Sequence, residues 1–304
     1  MDGACVRAPR ALIPLLAVSG AAVVVVTAGA GAAIEQGDDP VPPVTDVAEG
    51  TRTTAVNVLN WNVCGDTDPR CPAGAKPAEV VRTVSTQLKN NVVGGRKVKA
   101  NAVFLQEVCL GHVKAIAGQP GMSAWSWQFA PVLQSNGKPA TCANGQGQFG
   151  VAMGAQQQIT GVEKVYLPSP RTRRYVALCG NVASWNTRLC TAQLSNEANG
   201  EWRLKQTQKL TELAGARRVV FGGDFNDQPQ KPALDVLYRS FSECDQAAGG
   251  TRAGERTYQN AQGLALAKTD YVFASKSAEV ACEVPNQPVR ISDHRPIAAV
   301  VNFR

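Results

Sequence analysis

The sequence predicts an α+β fold in which two sheets pack face to face beneath helices. Three observations predict it. From about residue 54 onward, short apolar or alternating runs bounded by turn residues dominate, which is the pattern of strands. Helical spacing occurs in only a few windows between them. No composition break marks a second domain after residue 54, so these elements share one core.

Residues 54–62 read as a strand. Val56 and Val58 share one face, which turns polar at Asn60 and Asn62; Ala55, Leu59 and Trp61 supply the other. Residues 78–92 place Val80, Val81, Val84, Leu88 and Val92 at helical spacing. Residues 101–106 form a short buried strand through Ala102, Val103, Phe104 and Leu105, and a helix follows over 110–117. Residues 125–132, 148–153 and 160–167 read as strands. Residues 174–183 and 188–194 form a hairpin around 184–187. Residues 201–214 suit a helix, 218–222 a buried strand, and 269–274 and 296–303 the last strands.

Ahead of this domain, Arg7 and Arg10 precede an uncharged run over 11–33 that ends in small residues. A basic start, an apolar middle and a small-residue exit describe a secretory signal peptide. An uncleaved membrane anchor is the alternative, because the run exceeds a minimal spanning helix; Pro14 and Gly20 favour cleavage. Residues 34–53 are polar and proline-containing, a flexible lead-in. The expected organisation is a signal over 1–33, a lead-in over 34–53 and one domain over 54–304. The expected product is secreted, extracellular and monomeric, with no stable membrane association.

The cysteines agree with export. Cys5 lies in the leader, and Cys64, Cys71, Cys109, Cys142, Cys179, Cys190, Cys244 and Cys282 remain. An even set in an exported chain implies disulfides. The absence of a C-x-x-C pair argues against a zinc cluster. Neighbour pairing is expected: 64–71, 109–142, 179–190 and 244–282. Short loops favour the first and third pairs, and Cys179 and Cys190 are symmetric about the predicted turn. Sequence alone does not fix the connectivity.

Hydrophobic residues at 44% suffice for a sizeable core, and charged residues at 18% are too few for a disordered chain. The formal net charge is +7, of which the leader carries one unit. A basic mature chain favours polyanionic partners, nucleic acid or anionic lipid.

Acidic and amide residues gather at strand ends. Asn62 closes the first strand, and Gln106 and Glu107 close the strand over 101–106. Gly222-Gly223-Asp224-Phe225-Asn226-Asp227 follows Val219-Val220-Phe221. Asp270 opens a late strand, and Ser292-Asp293-His294-Arg295-Pro296 precedes the last one. Each alone reads equally well as a turn or a solvated rim. Together they offer Glu107 and Asp293 as hard oxygen donors for Mg²⁺ or Ca²⁺. Asp224 and Asn226 lie two apart beyond a strand and can face one cleft. A carboxylate on one imidazole nitrogen of His294 would aim the other at substrate.

These blocks carry a resemblance. Leu59-Asn60-Trp61-Asn62, Phe104-Leu105-Gln106-Glu107, Gly222-Gly223-Asp224-Phe225-Asn226, Thr269-Asp270-Tyr271-Val272-Phe273 and Ser292-Asp293-His294-Arg295-Pro296-Ile297 resemble the ordered signatures of the endonuclease/exonuclease/phosphatase superfamily. The resemblance spans about residues 54–303. It implies a four-layer α/β/β/α sandwich of two mostly antiparallel sheets flanked by helices, with the site at one edge. It also implies that Glu107, with Asn62 and Asp293 beside it, binds Mg²⁺ (or Mn²⁺ or Ca²⁺). By the same resemblance Asp224 orients or deprotonates the attacking water, Asn226 holds the phosphate, and Asp270 pairs with His294, which donates to a phosphoryl oxygen.

The chain departs from the pattern at Gln193, in Cys190-Thr191-Ala192-Gln193-Leu194, where many relatives carry a histidine. Glutamine donates a hydrogen bond but exchanges no proton near neutral pH. The other imidazole, His112, is expected at the surface. Arg171, Arg173 and Arg174 suit phosphate-backbone contact or a solvated basic face equally. Trp125, Trp127, Trp185 and Trp202 are expected in core or rim. No RNA-binding or helix-turn-helix pattern occurs.

The function expected is a secreted, divalent-metal-dependent phosphodiesterase, a nuclease and endonuclease acting on DNA. A sphingomyelinase-like phospholipase C or a phosphatase is the alternative, though no aromatic follows His294 and no exposed apolar hairpin is evident. A weakened enzyme acting as a binding protein rests on Gln193 alone.

Overall fold

The computed structural model describes residues 55–198, 200–215, 218–246 and 250–303. The expected signal over 1–33 and lead-in over 34–53 lie outside the described residues.

Twelve strands build two six-stranded sheets. In chain order they are β1 (Val56–Asn62), β2 (Ala102–Cys109), β3 (Ser126–Pro131), β4 (Phe149–Ala155), β5 (Ile159–Tyr166) and β6 (Val176–Val182). There follow β7 (Thr187–Gln193), β8 (Val219–Asp224), β9 (Phe241–Glu243), β10 (Asp270–Ser275), β11 (Ala278–Glu283) and β12 (Ile297–Phe303). The first sheet has the order β11-β12-β1-β2-β4-β3 and the second β9-β10-β8-β7-β6-β5. Neighbours are antiparallel except for one pair in each sheet, β1 with β2 and β7 with β8.

Those two exceptions position the site. Parallel partners end at the same sheet edge. Thus β1 and β2 deliver Asn62 and Gln106 side by side, and β7 and β8 deliver Gln193 and Asp224. Strand β10 begins at that edge, with Asp270 opposite Asp224.

Side-chain alternation sorts the apolar residues into three layers of core. Between the sheets, Val56, Val58, Phe104 and Met153 meet Leu178, Leu189, Val220 and Val272. On the outer face of the first sheet, Leu59, Trp61, Val103 and Leu105 meet Val80, Val84 and Leu88 of α1 (Pro77–Lys89) and Val113 and Ile116 of α2 (Leu110–Ala117). On the outer face of the second, Cys190, Phe221 and Phe273 meet Leu210 of α3 (Glu201–Ala214) and Leu237 of α4 (Asp235–Ser240). The architecture is a four-layer α/β/β/α sandwich. Polar groups also enter its centre: Gln106 Nε2 donates to Asn60 Oδ1 and, across to the second sheet, to Thr191 Oγ1, both at 3.0 Å. Gly222 makes room for this layer, since a Cβ there would stand 3.3 Å from both Asn60 Oδ1 and Phe104 and 2.7 Å from the Tyr271 carbonyl.

Four expectations need correction. Helix α1 stops at Lys89, and Val92 lies instead in a hairpin, Asn91–Val93 with Arg96–Val98. Gly94 and Gly95, both at positive φ, form its turn, and this local signal overrides the helical spacing. Strands β9 and β11 and helix α4 carry no predicted counterpart; β11 is a half-exposed edge strand without a clear apolar face. His112 is fully buried rather than at the surface. Finally, a small hairpin, Tyr258–Gln259 with Ala265–Ala267, exposes Leu264 (63%) and Leu266 (45%), so an exposed apolar hairpin does exist.

Disulfides join Cys64 to Cys71, Cys109 to Cys142, Cys179 to Cys190 and Cys244 to Cys282. Cys179 and Cys190 face each other directly across β6 and β7. Cys244, just after β9 of the second sheet, reaches Cys282 on β11 of the first. The Cys244–Cys282 pair closes 38 residues against 7 for Cys64–Cys71. Loop-closure entropy therefore gives it the larger share of stability, about 4 against about 2 kcal/mol. Urea denaturation of the two Cys→Ser double variants should rank them in that order.

Candidate active site

The carboxylate of Asp224, buried at the end of β8, is the hub. Its Oδ2 accepts from Asn62 Nδ2 at 3.0 Å, Asn226 Nδ2 at 3.2 Å and Gln193 Nε2 at 3.4 Å. His294 Nε2 faces the same oxygen from 4.0 Å. Asn62 and Gln193 also donate to Glu107 Oε1, at 3.1 and 2.6 Å. Two amides thus bridge Glu107 on the first sheet to Asp224 on the second.

Local backbone strain aims these groups. The pairing of β2 with β4 slips between Leu105 and Val108, a bulge that carries Glu107 at φ +51°. Its carbonyl accepts from Gly65 N at 2.7 Å, and a Cβ on Gly65 would come within 2.9 Å of that oxygen. Asn226 also sits at φ +51°, and its backbone N–H donates to Asp224 Oδ1 at 3.1 Å. Left-handed conformations of non-glycine residues cost of order 1–3 kcal/mol and cluster at functional sites.

The opposite wall is Asp270 with His294. Asp270 Oδ2 lies 2.7 Å from His294 Nδ1, which turns Nε2 toward Asp224 and toward Asp293 Oδ1 at 3.9 Å. Ser292 Oγ donates to the Asn62 carbonyl at 2.7 Å and accepts from His294 N at 2.9 Å, while Trp61 Nε1 donates to the His294 carbonyl at 2.8 Å. Thr257 Oγ1 accepts from Asp270 N at 3.0 Å, and the Tyr258 ring lies 5.3 Å from the imidazole.

Burial pushes the Asp224 carboxyl up to about 7; His294 opposes this, while Asp270 and Glu107 add to it. Burial also raises Asp293, with Glu107 adding to the effect. For His294 burial disfavours the charged form, but Asp270 and Asp224 outweigh it and hold the imidazole at about 10. Three carboxylates, Asp270, Asp224 and Asp293, thus crowd one imidazole, and Glu107 acts on two of them; among the described residues Arg70 is the cation paired there, 3.9 Å from Asp293. Such an excess of oxygen ligands and negative charge fits a hard divalent cation.

The structure therefore brings together Asn62, Glu107, Gln193, Asp224, Asn226, Asp270, Asp293 and His294. Two of them are posed differently from expectation. Asn62 turns its nitrogen to the carboxylates, and its oxygen accepts from Cys64 N at 3.1 Å, so here its amide bridges Glu107 and Asp224. The Asn226 amide is spent on Leu194 O at 3.0 Å and on Asp224 rather than on the open cleft. Arg171, Arg173 and Arg174 make no hydrogen bond to the cluster; Arg173 lies over the Phe149 ring and Arg174 over Tyr166. Trp125 and Trp185 are buried and Trp127 and Trp202 half-buried.

Sequence reasoning missed several supports. Arg203, buried on α3, binds Asp227 Oδ2 at 2.9 Å and the carbonyls of Ser195 and Glu197 at 3.1 and 2.5 Å. It clamps the loops that follow Gln193 and Asn226. A helical arginine carries no local signal of such a role. Ser292 adjoins the Asp-His pair, and that adjacency was the only clue to it.

His112 lies beneath the bulge, with its Nδ1 2.9 Å from where a Gly65 Cβ would stand. Neither ring nitrogen has a partner among the described residues, and burial lowers its pKa to about 4. The fold thus refuses a proton that the unfolded chain takes up below about 6.5. This residue costs nothing above that pH, and its penalty grows as pH falls towards 4. His112→Leu should lessen the acid loss of stability over that window by on the order of 3 kcal/mol, read from urea midpoints at pH 7 and 4.

No curated protein matches the chain. Solved structures do. An endonuclease/exonuclease/phosphatase from Bacteroides vulgatus superposes with a TM-score of 0.60 at 16% identity, covering 83% of this chain and 100% of that one. The human Nocturnin catalytic domain with bound sulfate anion gives 0.56 at 17% identity, covering 82% and 94%. A mannosyl-6-phosphatase from Bacteroides thetaiotaomicron gives 0.57 at 14% identity, covering 82% and 100%. At these identities the likeness is one of fold. The sequence itself matches the family model over residues 59–294. By that match the chain belongs to the Endonuclease/Exonuclease/phosphatase family, whose members are phosphoester hydrolases that typically use divalent metal ions.

Proposed function

We propose that this protein is a secreted, Mg²⁺-dependent phosphodiesterase that cuts nucleic acid, DNA foremost. The observation that carries the reading is the joining of Glu107 and Asp224 through Asn62 and Gln193, opposite an imidazole fixed by Asp270. The basic chain suits a polyanionic substrate.

Glu107 and Asp293 would hold the cation, which when bound would supply positive charge beside the phosphoryl group and lower the pKa of water there. Asp224 takes a proton from the attacking water. Asn62, Asn226 and Gln193 hold its carboxylate in place, so little reorganisation accompanies the reaction. Asp270 keeps His294 protonated and turned inward, and Nε2 donates to a phosphoryl oxygen as negative charge grows there. Gln193 supplies a fixed donor but no proton, so the leaving oxygen takes its proton from water.

The exposed Leu264 and Leu266 beside Tyr258 support a second reading, hydrolysis of a phospholipid headgroup. One assay separates the readings: the chain with plasmid DNA, RNA, sphingomyelin or a sugar phosphate, in Mg²⁺ or EDTA. DNA should be nicked in Mg²⁺ alone, whereas turnover confined to sphingomyelin or the sugar phosphate would overturn the nuclease reading.

Asp224→Asn and His294→Ala should each lower the rate on DNA by about 10²–10⁴ while the fold persists by circular dichroism. Gln193→His should raise the rate by about tenfold or more, because it adds a proton donor where loss of one typically costs about 10²–10⁴. An unchanged rate in a sensitive assay would count against the role given to the end of β7.

A further inference from the structure

The row of residues along the edge of the second sheet continues beyond Gln193. Asp270 stands opposite Asp224, Asp224 opposite Gln193, and Val176 opposite Tyr166. Ala177 pairs with Ala192, which sets Val176 beside Gln193. Tyr166 therefore lies three strands from Asp224, about 14 Å at roughly 4.8 Å per strand.

At that end, the segment after β5 and the outer side of α3 enclose a groove of about 810 Å³. Tyr166, Ser169, Arg171, Arg174, Trp202 and Lys209 line it. Arg174 lies over the Tyr166 ring at 5.0 Å and Lys205 over the Trp202 ring at 4.9 Å. Nearby carboxylates pair with Arg188, Lys205 and Lys209, but among the described residues none pairs with Arg171 or Arg174. The groove adjoins the active site through Tyr175. Its backbone N–H donates to Ser169 Oγ at 3.0 Å, and its hydroxyl donates to Asn196 Oδ1 at 3.3 Å, three residues beyond Gln193.

Resting on the phosphodiesterase reading above, we propose that this groove is a remote subsite for a nucleic-acid strand. Arg171 and Arg174 bind phosphates, and Trp202 takes an unstacked base, several nucleotides from the bond cut at Asp224. Guanidinium groups suit phosphate oxygens, and aromatic rings stack on bases of any sequence. Phosphates recur about every 3.4 Å along one strand of a duplex, so 14 Å is about four steps, and fewer where the strand is extended. A sugar phosphate or dinucleotide seated at Asp224 ends short of the groove. The subsite therefore selects polymers and favours cleavage within a chain.

Binding tests this apart from catalysis. Fluorescence anisotropy would follow labelled thymidine strands of four and twelve nucleotides on the full chain, in EDTA, over a range of salt. The twelve-nucleotide strand should bind about tenfold tighter or better. The Arg171→Gln/Arg174→Gln variant should weaken it about tenfold and lower the salt slope by roughly 1.4, or 0.7 for each lost phosphate contact. Trp202→Ala should weaken it by a similar factor, and Trp202→Phe should restore most of the affinity. Equal affinity for the two lengths, or an arginine variant with unchanged affinity, would overturn the proposal. So would arginine variants that lose phosphatidylserine vesicles while keeping the strand, which would point to a membrane surface. Failure of the phosphodiesterase reading shows separately, as absence of hydrolysis by the unaltered chain.

Discussion

Keeping a single carboxylate oxygen in place where two sheets meet is the constraint on which this architecture turns. Left alone, the buried Asp224 would cost several kcal/mol, and its partners repay that only if their geometry is good. Those partners come from both halves of the sandwich: Asn62 from the first sheet, Gln193 and Asn226 from the second, and His294 from the segment before β12. The sheets must therefore stand in one relative position for the charge to be tolerated. The parallel pairs β1–β2 and β7–β8 are what let four strand ends arrive at one edge.

The same region carries the backbone cost. Glu107 and Asn226 are both left-handed, and both flank the carboxylate oxygens that the amides hold. Rigid surroundings make this sustainable: the three apolar layers, the clamp of Arg203 on two loops, and disulfides at Cys64–Cys71 and Cys109–Cys142 on either side of the bulge. A site on freer loops would relax out of these conformations.

Much of this was legible in the sequence. The alternation of Val56 and Val58 against Leu59 and Trp61 assigned the two faces of β1, and both faces are buried as that pattern requires. The strand-end blocks located the acids and amides because each sits where an apolar run stops or starts. What escaped depends on tertiary context. Glu107 reads as an ordinary strand-end acid, and only the slipped register shows why it turns inward. His112 looked like a surface residue because polarity was the only cue, whereas helix α2 directs it under Gly65. Val92 continued a helical pattern by coincidence, and β11 has too little apolar alternation to register as an edge strand. The hairpin beside His294 has a composition that marks a turn but not its neighbour.

The amide layer inside the sandwich has a further consequence. If β2 or β7 slipped by one residue in its pairing register, Gln106 or Thr191 would swing to the opposite face of its sheet. Each group left unpaired in the interior would cost about 1–3 kcal/mol. The Asn60–Gln106–Thr191 contacts therefore act as an alignment pin, far from solvent, for groups that work at the rim. The spacing of the reacting groups becomes a property of the interior, and the outer loops are free to vary in length and charge without detuning it.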